Sequence, residues 1–370
     1  MSMRFFQRLM GMGQPDPKGP QAPLAALGPV GDTLPPRTGA RIPDGLRVYA
    51  VGDVHGRVDL FDRMARLIAQ DLVDCPPRQH GHPAFDAADP AIPALAWQAA
   101  IGGGGSGAGL ALKAPPRHDE AGGETAAEAR GLATDQARNP VYNPDHHPAQ
   151  DPARSTADNG AMPAGGVVTV FLGDYIDRGP ASRQVIDRLV VGEWSTPFIT
   201  LMGNHELMCL QFLQDAETLW MWRDVGALST LASYGVDVSP LMAASRTSDA
   251  AEVVRAAFAQ AMPQAHFDFL TSSLQPCSSV GDYFFCHAGV RPGIPLAYQD
   301  ALDLMTVRDV FLCSDADFGK VVVHGHTPQE RPVFRRNRIG IDTGAYATGC
   351  LTCVVLEGED VRILHTREAR

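Results

Sequence analysis

Short apolar runs that end at a glycine recur along the chain and predict buried strands. The first three such runs are Leu46–Val51, Val167–Leu172 and Phe198–Met202, followed by Gly52, Gly173 and Gly203. After each run, apolar residues recur at helical spacing, over residues 58–72, 182–191 and 206–213. Apolar runs of this length that are bounded by turn residues are typical of strands buried on both faces. The pattern predicts repeated strand–loop–helix units, and therefore an α/β domain.

The second half of the chain continues the pattern with more strands and a helical block. Further strands are predicted at Tyr283–Cys286, Val321–Val323, Arg338–Ile341 and Leu351–Leu356, and residues 217–275 are predicted to be mainly helical. Two stretches lack this periodicity and are rich in Gly, Pro and Ala. We predict a disordered leader over residues 1–43 and a folded domain over residues 44–370. A solvated insertion over residues 76–165 would interrupt that domain, because such composition cannot bury enough apolar surface to order itself.

Composition narrows the class of protein. The formal net charge of −11 argues against a nucleic-acid partner, because neutralising phosphates requires clustered Lys and Arg. No apolar run is long enough to predict a membrane span. The seven cysteines fit free, mostly buried thiols better than a disulfide framework, so a reducing cytoplasm is expected. The oligomeric state stays open.

Metal-binding residue types follow the predicted strands directly. Asp53, His55, Asp174, Asn204, His287 and His326 all lie within a few residues of a strand end. Ligands of open α/β sheets bind beyond the carboxyl ends of the strands. Mixed oxygen and nitrogen donors suit Mn, Fe or Zn, and so many donors would serve two ions about 3.5–4 Å apart that clamp a phosphate. Arg178 is suited to gripping phosphate oxygens with its planar guanidinium.

Five motifs carry a resemblance to a known family. GDVHG, GDYIDRG, GNHE, HAG and GHT occur in this order, each at a predicted strand end. Together they resemble the phosphoprotein-phosphatase family of calcineurin-like metallophosphoesterases, in its bacterial serine/threonine form, across about residues 45–356. The resemblance implies a four-layer sandwich in which helices flank two mixed β-sheets.

The resemblance also implies a role for each motif residue. Asp53 and His55 would hold the first ion, Asp174 would bridge both, and Asn204, His287 and His326 would complete the second. His205 would donate a proton to the leaving oxygen, with Asp177 orienting it, while Arg178 and Arg308 would clamp the phosphate. A hydroxide bridging the ions would attack phosphorus. Trp222 would serve packing, Glu206 would serve the start of its helix, and His324 stays open between a contact behind the site and a plain loop residue.

The implied function is metal-dependent hydrolysis of phosphomonoesters, with a serine/threonine phosphoprotein phosphatase preferred. Its substrate would be a phosphorylated protein or a small phosphoester, and its cofactors two divalent ions, Mn²⁺ first, with Fe or Zn as alternatives. The nearest rival is a diadenosine tetraphosphate hydrolase, a class that typically lacks an acid at the position of Asp177. A non-catalytic scaffold is the third alternative, and the complete ligand set speaks against it.

Overall fold

The structure, a computed structural model, describes residues 39–78, 166–242 and 247–366. The leader and insertion predicted over residues 1–43 and 76–165 lie largely outside these ranges and stay predictions. At their margins, Ile42 is fully buried, and its N–H donates to the Gly358 carbonyl at 2.8 Å. The Arg78 N–H donates to Glu357 at 2.7 Å. The packed region therefore includes a few residues that had been assigned to the leader and the insertion.

Within the described ranges, ten strands form two five-stranded mixed sheets. They are β1 (Leu46–Val51), β2 (Gly166–Phe171), β3 (Phe198–Thr200), β4 (Cys277–Val280), β5 (Tyr283–Cys286), β6 (Val321–His324), β7 (Val333–Phe334), β8 (Arg338–Gly340), β9 (Thr352–Glu357) and β10 (Asp360–His365). The first sheet has the order β10-β9-β1-β2-β3 and the second β4-β5-β6-β8-β7. In each sheet three neighbouring strands are parallel, β1, β2 and β3 in one and β5, β6 and β8 in the other.

The described residues form ten helices, of which those before residue 270 follow the predicted order and those after residue 300 had not been predicted. They are α1 (Val58–Asp74), α2 (Ser182–Val191), α3 (Asn204–Gln214), α4 (Leu219–Asp224), α5 (Ala227–Ser233), α6 (Ser248–Ala261), α7 (Gln264–Asp268), α8 (Ala301–Thr306), α9 (Asp309–Leu312) and α10 (Ala345–Thr348). No helix in the described ranges combines the length and apolar character needed to cross a bilayer. All seven cysteines are free thiols.

Successive side chains of a strand enter different cores, and this alternation links the layers of the domain. Val48 and Ala50 of β1 belong to a core that also contains Phe285 of β5, so the two sheets pack face to face. Tyr49, one residue along, turns to the opposite face and packs in the core that contains Phe61 of α1. Successive side chains of a strand point to opposite faces, so a strand buried on both sides joins two cores.

The outer face of the second sheet is covered in the same way. Phe284 of β5 and Val322 of β6 share a third core with Leu304 of α8 and Phe311 of α9. Helices therefore lie on both outer faces of the paired sheets, which confirms the predicted four-layer α/β sandwich.

The strands that were not predicted lie at or near the sheet edges. β4 and β7 are the edge strands of the second sheet, and β10 is an edge strand of the first. β4 contains two serines, β7 has two residues, and the residues of β10 are half-buried or exposed. An edge strand needs less apolar surface than a central one, so its pattern is weaker.

Candidate active site

Three imidazole rings surround one buried carboxylate, Asp174, which lies in the loop after β2. Nε2 of His55 lies 3.5 Å from Asp174 Oδ2, and Nε2 of His205 lies 3.7 Å from the same oxygen. Nε2 of His287 lies 3.4 Å from Asp174 Oδ1. Residues that follow β1, β3 and β5 thus meet at the carboxylate after β2. The carboxyl ends of parallel strands from both sheets converge there, as open α/β sheets lead one to expect.

The donor atoms form two groups that share Asp174. His55, Asp174 and His205 make one group, and Asp174, His287 and His326 make the other; within each group the ligand atoms lie within 4.8 Å of one another. Asn204 adds an oxygen to the second group, because its Oδ1 lies 3.1 Å from His287 Nε2. All of these residues are buried. Five of the six predicted metal ligands therefore lie together around one carboxylate.

Hydrogen bonds behind the rings orient two of the imidazoles. The Nδ1–H of His55 donates to the Ile176 carbonyl at 2.9 Å, and the Nδ1–H of His287 donates to the Leu172 carbonyl at 2.9 Å. Both rings therefore present an Nε2 lone pair to the centre, the state in which imidazole binds metal. Burial also lowers the pKa of His55 and His326 well below the ordinary value, which keeps both rings neutral.

Asp53, the sixth predicted ligand, belongs to neither group and contacts the backbone of His326. Its Oδ2 accepts the His326 N–H at 2.9 Å. Its Oδ1 is buried without a hydrogen-bond partner among the described residues. Burial, followed by the charges of Asp342 and Asp174, raises the pKa of Asp53 well above its ordinary value. The surroundings of the Asp53 carboxylate therefore lack the positive charge that would stabilise its ionised form.

These features fit divalent cations. The donors are oxygen and nitrogen atoms, the set that suits Mn, Fe and Zn. Asp53 Oδ1 and His326 Nε2 are both buried without a partner among the described residues, although buried polar atoms are ordinarily paired. Ions of double positive charge would satisfy these atoms and offset the repulsion between the buried carboxylates.

The backbone is strained at the same residues. Among the described residues, those other than glycine with positive φ are His55 (47°), Asp174 (54°), Asp177 (72°), Arg178 (67°) and His326 (65°). Left-handed conformation in such residues costs on the order of 1–3 kcal/mol each and persists only where the surroundings enforce it. All five had been predicted as site residues, so strain and predicted chemistry coincide.

His205 and Asp177 form a buried hydrogen-bonded pair at the centre. The Nδ1–H of His205 donates to Asp177 Oδ2 at 2.6 Å. Burial by itself lowers the pKa of His205, but the charge of Asp174 and the hydrogen bond to Asp177 outweigh it, so the pKa is raised. Asp177 is held in turn by the Trp222 Nε1–H at 2.6 Å and the Thr230 hydroxyl at 2.5 Å. Trp222 therefore does more than the packing predicted for it, because its indole N–H orients the acid partner.

Arg178 lies over the first group of donors. Its guanidinium donates to His55 Nε2 at 2.8 Å and to His205 Nε2 at 3.3 Å. Tyr346 covers the other side of the guanidinium, with Arg178 Cζ 4.7 Å from the ring centroid. Arg308, the second predicted clamp, is half-buried. Burial lowers the pKa of Arg308, while the charge of Asp174 opposes that shift, so Arg308 lies near enough to the centre to interact with Asp174.

Glu206, Asp342 and Tyr346 contribute to the site beyond what was predicted. The Glu206 carboxylate accepts the Gly203 N–H at 3.0 Å, as expected at the start of α3. It also accepts backbone N–H groups at 2.9 Å from Asp174 and 2.7 Å from Tyr175. Burial and the charge of Asp174 raise the pKa of Glu206 to about 7.

Asp342 directly follows a predicted strand, so the strand-end pattern could have identified it as a site residue. No sequence pattern identifies Tyr346.

The close approach of Gly203 to Asp174 supports a testable prediction. The backbone of Gly203 has φ −94° and ψ 170°, which any residue can adopt. However, a Cβ at this position would lie 2.1 Å from Asp174 Oδ1 and 2.5 Å from Asp174 N. We expect Gly203→Ala to displace Asp174 and to lower any hydrolysis of phosphomonoesters, the reaction that the motifs imply, about 10²-fold, the cost of a misplacement near 1 Å. Steady-state kinetics with p-nitrophenyl phosphate and Mn²⁺ would measure the loss.

Gly192→Ala is the matched control for that variant. Gly192 has φ +72° and no heavy atom within 4 Å of its virtual Cβ, so alanine there meets conformational strain alone. The control should lose some thermal stability and keep its turnover. If Gly203→Ala kept wild-type turnover, the close packing between Gly203 and Asp174 would not matter for activity.

Comparisons with known proteins point to one family. The family model of calcineurin-like phosphoesterases matches residues 145–348. A candidate diadenosine tetraphosphatase has a solved structure that is 14% identical, with 87% of this chain and 95% of that chain covered and a TM-score of 0.42. A cold-active protein-tyrosine phosphatase of a psychrophilic Shewanella species is 14% identical, with 89% and 84% covered and a TM-score of 0.41.

A third solved structure is a protein serine/threonine phosphatase from Saccharomyces cerevisiae. It is 12% identical, with 88% of this chain and 81% of that chain covered and a TM-score of 0.37. Likenesses this distant do not discriminate between substrates. No curated protein sequence matches the chain.

Proposed function

The chain belongs to the calcineurin-like phosphoesterase family, and from this premise we propose that it is a serine/threonine phosphoprotein phosphatase. The supporting observation is the buried His205–Asp177 pair, 2.6 Å apart, beside a carboxylate that two groups of metal-binding donors share. A phosphomonoesterase needs both parts: a centre that binds the phosphoryl group and a proton donor for the leaving oxygen. The free thiols favour a reducing compartment such as the cytoplasm.

The donors divide between two divalent ions. We assign Asp53 and His55 to one ion, Asn204, His287 and His326 to the other, and Asp174 to both. Mn²⁺ is our first choice, with Fe or Zn as alternatives. When bound, such a pair supplies Lewis acidity toward the phosphoryl oxygens and activates water for in-line attack.

His205 also lies within reach of the first group, but we assign it to proton transfer. Its Nδ1–H is bound to Asp177, which stabilises the positive ring. Its Nε2 faces the centre, 3.7 Å from Asp174 Oδ2. A proton on Nε2 can therefore pass to the leaving oxygen of a phosphoester bound there, after which Asp177 keeps the neutral ring in place.

Arg178 must move for this transfer to occur. The hydrogen bonds from its guanidinium to His55 Nε2 and His205 Nε2 require a lone pair on each nitrogen. An imidazolium at His205 has no such lone pair and repels the guanidinium. A bound phosphate would draw the planar fork of Arg178 onto its oxygens and release His205 Nε2 to carry the proton. One arginine would thereby couple phosphate binding to the charge state of the acid.

The second candidate is a hydrolase of dinucleoside polyphosphates. The alkoxide released from a phosphoserine is a poor leaving group, so its departure requires protonation, whereas a nucleotide phosphate departs as a stable anion. The His205–Asp177 pair therefore favours the phosphoprotein substrate.

Turnover of matched substrates tests the proposal. The full chain, loaded with Mn²⁺, would be assayed with a phosphoserine peptide, a phosphothreonine peptide, p-nitrophenyl phosphate and diadenosine tetraphosphate. We expect the highest kcat/KM with the phosphopeptides. A higher value with diadenosine tetraphosphate would favour the second candidate. Metal bound without turnover of any substrate would identify a non-catalytic scaffold.

A further inference from the structure

Asp342 lies at the end of a parallel strand, as the assigned metal ligands do. β5, β6 and β8 are the parallel strands of the second sheet, and their carboxyl ends lead to His287, His326 and Asp342. The end of β8 also touches the end of β1. A Cβ on Gly52 would lie 2.7 Å from the Ile341 carbonyl oxygen, so the residues before Asp53 and Asp342 are in contact. This packing brings the two carboxylates to the same edge.

One oxygen of Asp342 is used and the other is not. Oδ1 accepts the Gly344 N–H at 2.9 Å and closes a turn. Oδ2 is buried without a hydrogen-bond partner among the described residues, and the residue as a whole is only 3% exposed. A turn requires one acceptor oxygen, for which asparagine or serine would serve equally. The turn therefore accounts for Oδ1 of Asp342. It gives no structural reason for the second carboxylate oxygen, Oδ2, to be buried.

The charges around Asp342 indicate what the second oxygen serves. Asp53 and Asp174 are both near enough for their charges to act on the same site, and each carboxylate disfavours ionisation of the others. Arg178 and Arg308 oppose this repulsion. The three buried carboxylates outnumber the two arginines beside them, Arg178 and Arg308, and this excess of negative charge favours the entry of divalent cations.

We propose that Asp342 is a positioning carboxylate of the metal centre, which raises its affinity for divalent ions through the oxygen that the turn leaves unused. The inference rests on the proposed function, because it presumes that the shared donors hold such ions. The oxygens of Asp342, like those of Asp53, lie outside both groups of mutually close donor atoms in the described residues. Asp53 keeps the ligand position proposed for it above, and Asp342 adds a further carboxylate behind it. We therefore assign it to holding ions in place through charge and bound water, whereas the ligand positions belong to the six residues named above.

Asp342→Asn is the decisive variant, because the amide oxygen can still accept the Gly344 N–H while the charge is lost. We expect Mn²⁺ affinity, measured by calorimetry on the chelator-stripped full chain, to fall about 10–100-fold, as when other outer partners of metal ligands are removed. In the metal-free state, we expect the variant to melt at a higher temperature than the wild type, because one of three mutually repelling charges has gone. A role confined to the turn would give neither change.

Two controls keep the outcomes distinct. Asp342→Ser also keeps a turn acceptor without charge and should repeat both effects, which covers the case that the asparagine variant fails to fold. Asp237→Asn removes the same charge from an exposed residue and should leave Mn²⁺ affinity unchanged. If the wild type binds Mn²⁺ and Asp342→Asn binds it equally tightly, Asp342 has no part in the centre. If the wild type binds no divalent ion, the proposed function itself fails.

Discussion

His205→Asn is expected to lower kcat for a phosphopeptide by about 10²–10⁴-fold while the bound metal is retained, the usual contribution of a general acid. Asparagine can still donate a hydrogen bond to Asp177, so the local packing should survive, but its side chain has no proton to give. Single-turnover kinetics together with metal analysis of the desalted protein would measure both quantities. Wild-type turnover in this variant would remove His205 from proton transfer, and loss of metal would make it a ligand.

The choice of leaving group sharpens that test. p-Nitrophenolate leaves without protonation at neutral pH, so His205→Asn should lose far less turnover with p-nitrophenyl phosphate than with a phosphoserine peptide. Asp177→Asn serves as the companion variant. The hydrogen bond from His205 to Asp177 is one of the interactions that raise the pKa of the ring, so its loss should lower that pKa. Because the protonated ring is the competent form, turnover of the companion variant should begin to fall at a lower pH.

Asp174→Asn is expected to abolish binding of both ions and to lower turnover by about 10³-fold or more, since metal catalysis is worth several kcal/mol. Asp174 is the one residue common to both groups of donors, and its carboxylate interacts with His55, His205 and His287. The amide keeps the shape but carries no charge and offers one oxygen in place of two. Metal analysis after gel filtration in Mn²⁺ would give the stoichiometry.

Asp303→Asn is the control for Asp174→Asn. Asp303 is also a buried carboxylate, but it pairs with Arg291 at 2.7 Å and is absent from both groups of donors. Its replacement should lower the melting temperature without changing the metal stoichiometry. Retention of two ions per chain by Asp174→Asn would show that the carboxylate does not bridge them. Retention of one ion would show that it serves a single position.

Residues next to predicted strands were the easiest part of the site to foresee. Asp53 and Asp174 follow the buried runs of β1 and β2 within a few residues, and such a run must end at the sheet edge where ligands bind. The parallel central strands were predicted for a similar reason, because strands buried on both faces give continuous apolar runs. The edge strand β10 was not predicted, since its residues alternate weakly and stay partly exposed.

Contacts between segments that are distant along the chain had no counterpart in the sequence. Glu206 looked like a helix-capping residue, and only the packing of α3 against the loop after β2 places its carboxylate on the backbone of Asp174 and Tyr175. Trp222 looked like a core residue, yet its indole N–H reaches Asp177 across 45 positions of the chain. Both interactions are long-range, and their partners become neighbours only once the layers pack.

The sequence by itself determined the central strands, the residue types at their ends and, through five motifs, the family they resemble, because these depend on local periodicity and on short fixed spacings. Tertiary structure decided which of those residues share Asp174, which hydrogen bonds orient their rings, and that Asp342 and Tyr346 face the same centre. Those relations depend on which edges of the two sheets meet. That meeting is set by burial of the core between the sheets, a collective property that no short segment of the chain records.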